Sequence, residues 1–342
     1  MKNNTNKFKD NKILISHGDG GAKTGELIKN LIFNYLGNNI LEKMEDSAIL
    51  EIKNNRIAFT TDSFVVKPVF FSGGDIGKLS ICGTLNDIAC SGAKPLFLSL
   101  SFIIEEGFET NDLVRILKSM KNVLDEVSVP VVTGDTKVVE KNNIDKIFIN
   151  TSGIGAIPAG IEISPSRIKP GDKIIINGSI AEHGIAVLTS REDFGFKGID
   201  TDCCPLNIMI EEVLKQNIKI HAIRDATRGG LASVLNEFSE ISDYQFKIFE
   251  ELIPVSKKVH AICEFLGLDP LYIANEGKMV LFVDQKDANA ALKILKNNKY
   301  GKDSVIIGEV EETRNNNVIL KTKIGTNRVL DKFYSEQLPR IC

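Results

Sequence analysis

The chain has 342 residues, of which 43% are hydrophobic and 25% are charged, and its formal net charge is −3. This composition is typical of a globular protein of about two domains and excludes a largely disordered chain. The charge balance disfavours nucleic acid as a partner, because binding to a phosphate backbone needs a basic surface.

Neither a membrane span nor a secretory signal is predicted. No apolar run reaches the roughly 18 residues that a span requires. The leader MKNNTNKFKDNK is polar and lacks the apolar segment of a signal peptide. We therefore expect a cytoplasmic protein without contact to membranes.

The first predicted helix follows a glycine-rich turn. The turn HGDGG at 17–21 precedes apolar residues at helical spacing, which predict a helix over about 24–36. Free N–H groups at the start of a helix suit an anion such as phosphate. Neither a P-loop nor a G-x-G-x-x-G motif is present, so a flexible turn explains this segment equally well when it is taken alone.

A β-hairpin is predicted next, with strands Ala48–Ile52 and Arg56–Thr60 around three polar residues. The second strand leads directly to Asp62. A carboxylate at the end of a strand is a common metal or catalytic group, although a turn or capping aspartate is the default explanation.

The segment 73–93 contains many small residues within a predicted helix, and each glycine there costs up to about 1 kcal/mol of helix propensity. Such a helix is expected to be approached closely by another group. Asn86 and Asp87 follow Gly83 and Thr84 at a spacing of three residues, which places them on one helix face. Together with Asp62, Asp87 would supply two carboxylates for Mg²⁺, which prefers one or two carboxylates plus substrate phosphates. A solvated polar face is the alternative.

A strand over Pro95–Ile104, an amphipathic helix over Thr110–Val127 and a strand from Val131 are predicted to follow. The last of these strands contains Lys137 between a threonine and two valines. Desolvation in an apolar strand would lower the pKa of this lysine toward that of a useful base. The competing explanation is an edge lysine that guards against aggregation.

A domain boundary is predicted near residue 160, where a Pro- and Gly-rich segment follows a strand over 146–157. The predicted domains are 1–160 and 161–325, with a flexible tail over 326–342. The second half alternates apolar strands and helices, at 173–177, 180–190, 206–216, 230–239, 245–253, 257–266, 278–283, 286–297 and 303–310.

Two polar loops of the second half are candidate functional segments because they lie at predicted strand ends. They have the sequences RDATRGGL at 224–231 and NEGK at 275–278. Taken alone, each is more typical of an ordinary turn.

The six cysteines form neither a C-x-x-C pair nor a zinc-type cluster with histidines, and in a reducing compartment they are expected to be free thiols. Cys82 and Cys90 lie among apolar and small residues, so we expect them in the core. Cys342 is the last residue and follows Pro339 closely, which predicts an exposed thiol on a mobile tail.

Several segments together resemble the family of the hydrogenase maturation factor HypE: TDSFVVKPVFFSGGDIGKLSICGTLNDIACSGAKP, TGDTKVV, RDATRGGLA, NEGK and the terminal PRIC. The resemblance covers nearly the whole chain, and the motifs occur in the family's order. It implies an α/β (α+β) two-domain PurM-like fold, related to aminoimidazole ribonucleotide synthetase and selenophosphate synthetase. An N-terminal mixed-sheet ATP-binding domain would pair in a homodimer, and a C-terminal α/β domain would carry a mobile tail.

The function implied by this resemblance is an ATP-dependent dehydration. The terminal cysteine, here Cys342, would receive a carbamoyl group from the carbamoyltransferase HypF, and the resulting S-carboxamide would become an S-cyanate. The cyanide would then pass to iron in the HypC–HypD iron-ligand assembly complex, as a ligand of the [NiFe]-hydrogenase site.

The resemblance also implies roles for individual residues. Cys342 would carry the substrate, and Lys137 and Glu276 would remove protons from it. Mg²⁺ would be held by Asp62, Asp87 and Asp225. ATP or phosphate would be bound by Gly18, Gly20, Gly21, Lys78, Asn86, Asp87, Thr133, Asp135, Arg224 and Arg228. Asp19 stands where the family is expected to carry serine more often, and a carboxylate near a triphosphate repels it unless a metal intervenes.

Two alternatives remain at the level of sequence. A selenophosphate synthetase-like kinase would normally carry a reactive Cys or selenocysteine in the N-terminal glycine-rich loop, and this loop has none. A scaffold that binds ATP without chemistry would organise maturation complexes through the tail.

Overall fold

The computed structural model describes residues 21–32, 41–43, 45, 47–52, 55–191, 196, 198–332, 338 and 341. These residues form two units, each built on a mixed β-sheet with helices packed against it, and the sheets have five and seven strands. The predicted α/β (α+β) architecture of two sheet-centred units is confirmed.

The five-stranded sheet of the first unit has the strand order β1-β2-β7-β5-β6. Its strands are antiparallel to their neighbours except for the parallel pair β5 and β6, which the helix α3 connects. The bounds are β1 Ala48–Ile52, β2 Asn55–Phe64, β5 Lys94–Glu105, β6 Val131–Val139 and β7 Ile147–Ile157, with the small pair β3 Phe70–Phe71 and β4 Gly74–Asp75 and the helices α1 Ala22–Leu27, α2 Ile76–Cys90 and α3 Thr110–Val127. A short π-helix, Ile28–Ile32, continues α1, and a 3-10 turn follows at Leu41–Lys43.

The helices α2 and α3 cover one face of this sheet. α3 is amphipathic and buries Ile116, Met120 and Val123. In contrast, 13 of the 15 residues of α2 are buried, because this helix packs on β2 and β7 on one side and on elements of the second unit on the other. The position of α2 between the two units places it at the centre of the molecule.

Among the described residues, no element covers the opposite face of the first sheet. Its exposed side chains include Phe59, Phe97, Ile103 and Ile154, which are 37–47% exposed. Phe97 pairs with Ile154 and Ile154 with Phe59 across the strands β5, β7 and β2. An apolar row of this kind on an uncovered sheet face is typical of a protein–protein contact.

The seven-stranded sheet of the second unit has the strand order β14-β13-β10-β12-β8-β11-β9. Its bounds are β8 Lys173–Ile176, β9 Ile220–Asp225, β10 Phe246–Phe249, β11 Met279–Val283, β12 Val305–Val310, β13 Val318–Lys321 and β14 Asn327–Val329. The helices of this unit are α4 Glu182–Arg191, α5 Asn207–Leu214, α6 Gly230–Ser242, α7 Lys257–Leu266 and α8 Ala288–Asn297, with 3-10 turns at Pro165–Arg167, Glu250–Leu252 and Pro270–Tyr272. Every residue of β11, which lies between β8 and β9, is buried, as expected for a strand covered on both faces.

The structure changes one boundary of the predicted division. β14 pairs with β13 through Asn327–Val329, so these residues belong to the second sheet and not to the tail predicted from residue 326. The division near residue 160 stays a prediction, and β7 and β8, which flank it, belong to different sheets.

Two further expectations concern the described residues only. Cys82, Cys90, Cys203, Cys204 and Cys263 are free and buried, so the core positions predicted for Cys82 and Cys90 are confirmed. Within the described part of the chain, no helix is both long and apolar enough to cross a membrane.

Candidate functional site

The N-terminus of α2 is fixed by its own capping residue. Asp75 Oδ1 accepts hydrogen bonds from the amides of Gly77 at 2.7 Å and Lys78 at 3.0 Å, which satisfies two of the otherwise unpaired N–H groups of the first turn. Burial raises the pKa of Asp75, although these bonds oppose the change.

The close approach predicted for α2 is confirmed, and its partners are parts of the protein. A Cβ atom at Gly77 would lie 2.6 Å from the carbonyl oxygen of Ile116 on α3. A Cβ atom at Gly83 would lie 2.9 Å from the ring of Phe64 on β2. The glycines therefore let α3 and β2 pack directly on the helix backbone.

Asp62 of β2 lies beside the face of α2 that carries Gly83 and Asp87. Thr60 Oγ1 donates to Asp87 Oδ2 at 2.8 Å, and Asp62 Oδ2 lies 3.6 Å from the Cβ position of Gly83. Thr60 and Asp62 share a sheet face because side chains alternate along a strand, and Gly83 and Asp87 are one turn apart on the helix. Both carboxylates are half-buried.

Asn86 connects α2 to the second unit. Its Nδ2 donates to the carbonyl oxygens of Cys204 at 3.1 Å and Glu276 at 3.3 Å, and its Oδ1 accepts from the amide of Leu206 at 2.8 Å. The side chain is 1% exposed, and both amide protons are used. Asn86 thus ties two loops of the second unit to α2, and its predicted contact with ATP stays a prediction.

Asp202 organises the loop NEGK at 275–278. Its carboxylate accepts from the amides of Glu276 at 3.1 Å and Gly277 at 3.3 Å and forms an ion pair of 3.0 Å with Lys278. A Cβ atom at Gly277 would lie 1.9 Å from the carbonyl oxygen of Asp202, so only glycine permits this approach. Asn275, which is fully buried, holds the loop by accepting from the amide of Ala181 at 2.7 Å.

Glu276 is placed in a dry and negatively charged environment. The residue is 3% exposed, and its pKa is raised well above the ordinary value, first by burial and then by the neighbouring Cys203, Asp225, Asp202 and Asp62. The structure therefore brings three predicted residues, Glu276, Asp225 and Asp62, into electrostatic contact.

The two arginines of the loop RDATRGGL differ in position. Arg224 forms an ion pair with Glu237, and its guanidinium lies 4.9 Å from the centre of the Phe238 ring. Arg224 and Asp225 are consecutive on β9 and so point to opposite faces of the sheet. The nucleotide contact predicted for Arg224 stays a prediction, and Arg228 is half-buried in the loop before α6.

Lys78 is half-buried near the N-terminus of α2, where its Nζ donates to the carbonyl oxygen of Gly73 at 3.1 Å. Its positive charge opposes the rise in the pKa of Cys203, a rise caused first by a hydrogen bond with Cys82 and then by burial. Lys78 thus faces the loop that contains Cys203. Gly21 is buried and precedes α1, whereas Gly18, Asp19 and Gly20 lie outside the described residues.

The predicted desolvation of Lys137 is wrong for this chain. Lys137 lies on β6, the edge strand of the first sheet, and its side chain is 67% exposed. It pairs with Asp135 at 3.1 Å, and this hydrogen bond lowers the pKa of Asp135. Thr133 is exposed on the same strand. In this chain the described contacts of Lys137 are on its own strand, so it does not join the group around Glu276.

The end of the chain reaches the same region. Ile341 forms a β-bridge with Val66, and its carbonyl oxygen accepts from Nε2 of His183 at 2.6 Å. Leu338 and Ile341 are 8% and 2% exposed and belong to the core that also contains Val66. Cys342 itself lies outside the described residues.

The three predicted metal ligands do not form a metal centre by themselves. In the described ranges, no group of three or more His, Cys, Asp or Glu side chains is arranged to hold a metal ion. Oxygen donors from Asp62 and Asp87 nonetheless match the chemistry of Mg²⁺, because this ion usually keeps several waters and takes only one or two carboxylates from the protein.

Sequence reasoning missed Asp202, Thr201 and His183. The first two lie in an irregular segment, and their importance arises from contacts with residues far away in the chain. His183 is one of only four histidines, which is the one local signal that singles it out.

Two family models match the chain. The N-terminal domain of AIR synthase related proteins matches residues 44–157, and the C-terminal domain matches residues 169–321. A solved thiamine monophosphate kinase of Aquifex aeolicus, with 18% sequence identity and a TM-score of 0.62, covers 85% of this chain and 94% of its own. The overall PurM-like fold is thereby confirmed.

Closer relatives align over almost the full length. A putative hydrogenase expression/formation protein of Methanocaldococcus jannaschii is 46% identical over 97% of this chain and 100% of its own length. The carbamoyl dehydratase HypE of Cupriavidus necator is 45% identical over 98% of this chain and 96% of its own.

Solved structures agree with this relationship. A complex of HypE with HypF contains a chain that is 48% identical, with a TM-score of 0.85 and coverage of 90% of this chain and 99% of that one. A HypE structure in complex with ATP is 40% identical, with a TM-score of 0.81 and coverage of 97% and 100%. The chain therefore belongs to the carbamoyl dehydratase HypE family of hydrogenase maturation proteins.

Proposed function

We propose that this protein uses ATP to convert a carbamoyl group on the thiol of Cys342 into a cyanate. The observation that carries the proposal is the position of Ile341, which is bonded to Cys342 and is buried between Val66 of the first unit and His183 of the second. The end of the chain thus docks where the segment after β2 meets the start of α4. Family membership and the ATP complex of a relative support ATP as the substrate.

The reaction needs one phosphoryl transfer and the loss of two protons. The amide oxygen of the S-carboxamide attacks the γ-phosphorus of ATP, and ADP leaves. The C–O bond then breaks, phosphate departs with the oxygen, and the two N–H protons are removed as the C≡N bond forms. The products are the S-cyanate, ADP, phosphate and a proton.

Asp62 and Asp87 are the proposed Mg²⁺ ligands. Bound Mg²⁺ would neutralise charge on the triphosphate. Thr60 orients the Asp87 carboxylate through its hydrogen bond of 2.8 Å. Asp62 lies beside Gly83 of α2, because its Oδ2 would be in van der Waals contact, at 3.6 Å, with an added Cβ atom. Asp225, the third predicted ligand, is 8% exposed at the end of β9, and we propose that it contributes mainly to the local field.

Glu276 is the proposed proton acceptor. Its raised pKa makes the ionised carboxylate a stronger base than an ordinary glutamate, and its burial excludes water from the step. The peptide N–H groups of Glu276 and Gly277 are held by Asp202, so the loop does not need to reorganise.

Lys137 requires a second copy of the chain to act as a base. Residue 137 pairs with Ile103 across β5 and β6, so its side chain lies on the open face that carries Phe59, Phe97 and Ile154. We propose that two first units pair through this face as a homodimer, which would cover Lys137, Thr133 and Asp135. Covering the lysine would supply the desolvation that the single chain lacks.

The first proposed partner is named in the solved complex of a relative, and the second is implied by the resemblance to the HypE family. HypF would load the carbamoyl group, in line with the solved complex of HypE with HypF. The HypC–HypD complex would receive the cyanide and attach it to the iron of a [NiFe]-hydrogenase. We propose that these steps occur in the cytoplasm.

Mass spectrometry of the C-terminal peptide tests this function. Incubation with the carbamoyltransferase system should add a carbamoyl group to Cys342, and ATP should then remove the elements of water. A Cys342→Ala variant should show neither change, whereas Cys263→Ala, which alters a buried cysteine outside the site, should behave as wild type. Equal modification of Cys342→Ala and wild type would refute the role of the tail.

An Asp87→Asn variant tests the ATP site. Loss of one carboxylate charge with unchanged shape should reduce ATP turnover at least tenfold while urea unfolding stays close to wild type. Asp112→Asn, whose side chain is 37% exposed near the start of α3, is the matched control. Normal ATP hydrolysis by Asp87→Asn would remove this residue from the site.

A further inference from the structure

His183 connects the docked end of the chain to the second unit. The ring is fully buried, its Nδ1 lies 2.8 Å from Thr201 Oγ1, and its Nε2 lies 2.6 Å from the carbonyl oxygen of Ile341. The edge of Phe71 packs against it with 5.4 Å between ring centres. Both nitrogen atoms and the ring surface therefore have partners, which fixes the orientation of the imidazole.

The directions of these hydrogen bonds follow from the chemistry of the partners. A carbonyl oxygen only accepts, so Nε2 must carry a proton and donate to Ile341. Burial lowers the pKa of His183, so the ring is neutral and Nδ1 carries no proton. Nδ1 must then accept from the hydroxyl of Thr201. The same hydroxyl oxygen accepts from the amide of Cys203 at 3.1 Å.

This chain of bonds leads to the loop that holds Glu276. Thr201, Asp202 and Cys203 are consecutive, and the Asp202 carboxylate accepts from the amides of Glu276 and Gly277. The docked carbonyl of Ile341 is thus linked through His183 and Thr201 to the segment that positions the proposed proton acceptor.

The contacts of Leu338 complete the dock. The position of a Cβ atom on Gly184 lies 3.5 Å from Leu338 Cδ1 and 2.4 Å from Ile273 Cγ2. A Cβ atom at residue 184 would therefore overlap Ile273, whereas it would be in ordinary van der Waals contact with Leu338. Leu338 thus packs beside Gly184, next to the donor His183 at the start of α4, and these two residues form a receptor for the tail.

We propose that His183 is a positioning residue that holds the terminal segment in register for dehydration, and that Thr201 selects the Nε2–H tautomer that makes this possible. The proposal rests on the proposed function for its role in catalysis, whereas the docking itself does not depend on ATP or on a carbamoyl group. Cys342 follows Ile341 directly, so the hydrogen bond from His183 is made to the carbonyl group of the peptide bond that joins the reacting residue.

Paired substitutions at Thr201 test the docking. Thr201→Val keeps the shape of the side chain and removes the hydroxyl, so Nδ1 loses its donor and the ring can place its proton there. Nε2 would then face the carbonyl oxygen of Ile341 without a proton and repel it. Thr201→Ser keeps the hydroxyl and is the matched control.

Hydrogen exchange without ATP or partner proteins provides the measurement. Amide exchange in the C-terminal peptide and in the peptide containing Val66 should be at least tenfold faster in Thr201→Val and within twofold of wild type in Thr201→Ser. A chain truncated after residue 337 gives the exchange of Val66 when the tail is absent. Exchange in Thr201→Val equal to that of wild type would overturn the proposal.

Nitrogen-15 spectra of the histidine ring report the tautomer directly. Wild type should show the neutral Nε2–H form for His183, and Thr201→Val should show a mixture or the Nδ1–H form. The His183→Gln variant should retain part of the docking, because the glutamine amide nitrogen can occupy the position of Nε2. The resonances that are absent from the spectrum of this variant are those of the His183 ring. A protonated ring or an Nδ1–H form in wild type would refute the assignment.

Kinetics separate this proposal from the proposed function. In single turnover of carbamoylated protein, Thr201→Val should dehydrate the tail at least tenfold more slowly with an unchanged KM for ATP, and Thr201→Ser should stay within twofold. Amide exchange could change as expected while neither wild type nor any variant dehydrates the tail. In that case the proposed function fails and the docking proposal stands. If dehydration is normal in Thr201→Val, the positioning role fails.

Discussion

The replacement Asp202→Asn tests the buried group that holds the NEGK loop. Asp202 and Lys278 have side chains that are 1% and 10% exposed, and their charged atoms are 3.0 Å apart. Asparagine has the same size, so no cavity forms. The substitution removes the negative charge, however. Among the described ion pairs, the acidic partner that remains for Lys278 is Glu182, at 3.9 Å.

The expected loss of stability is large. Removing one partner of a buried ion pair typically costs about 3–5 kcal/mol, because the other charge is left in a poorly solvated site. Against a total stability of about 5–15 kcal/mol, the midpoint of urea unfolding should fall by about 1 M or more. The double variant Asp202→Asn/Lys278→Met removes both charges and should recover at least half of the loss.

An exposed pair of the same length is the control. Asp112 and Arg115 are also 3.0 Å apart but are 37% and 62% exposed, and Asp112→Asn should change the free energy of unfolding by less than about 0.5 kcal/mol. A loss below about 1 kcal/mol for Asp202→Asn, or simple additivity in the double variant, would refute the reasoning.

The pH dependence gives an independent check. Burial lowers the pKa of Lys278, but the charges of Asp202, Cys204 and Glu182 outweigh it, so the pKa in the folded protein is raised above its ordinary value of 10.5. A raised lysine pKa stabilises the folded state at pH values below the unfolded pKa, and this stabilisation is lost as pH rises through the folded pKa. The difference between wild type and Asp202→Asn should therefore be constant between pH 7 and pH 9 and should shrink at higher pH.

Three further outcomes are expected. Gly277→Ala should lower the urea midpoint strongly, because the added Cβ would lie 1.9 Å from the Asp202 carbonyl oxygen, whereas Gly25→Ala, with nothing within 4 Å, should be neutral or stabilising. Lys137→Ala should unfold within about 0.5 kcal/mol of wild type but accumulate carbamoylated protein, and normal dehydration would count against its role. Burial raises the pKa of Cys263 to about 11 and that of Cys204 above its ordinary value, so native alkylation at neutral pH should label Cys342 first. Early label on Cys204 would contradict this.

The elements with a strong local pattern could be predicted from the sequence. The helix Thr110–Val127 has the predicted bounds, because its apolar residues repeat at helical spacing and its other face is solvated. The hairpin of β1 and β2 was also predicted, but β2 continues to Phe64 and therefore includes Asp62 within the strand. The sequence also paired Asp62 with Asp87 as carboxylates for Mg²⁺, and this shared role stays a prediction.

The environment of Lys137 could not be predicted in the same way. Valines around a lysine look alike in a central strand and in an edge strand, because the order of strands in a sheet depends on long-range pairing. The same limit applies to Asn86. Helical spacing gives the direction of its side chain, but it does not reveal that the loop at residues 204–206 lies there.

The free energy that favours docking of the chain end is small. Burying Leu338 and Ile341 contributes about 1.5–3 kcal/mol each, and the bond from His183 adds about 0.5–1.5 kcal/mol. Fixing the backbone of each tail residue opposes this by about 1–2 kcal/mol, so a few ordered residues cancel most of the gain. Docking should therefore be a reversible equilibrium that favours the docked end by only a few kcal/mol, and a partner that binds the free end somewhat more tightly can withdraw it. A longer or more apolar terminus would bind its own pocket too well to be passed between proteins.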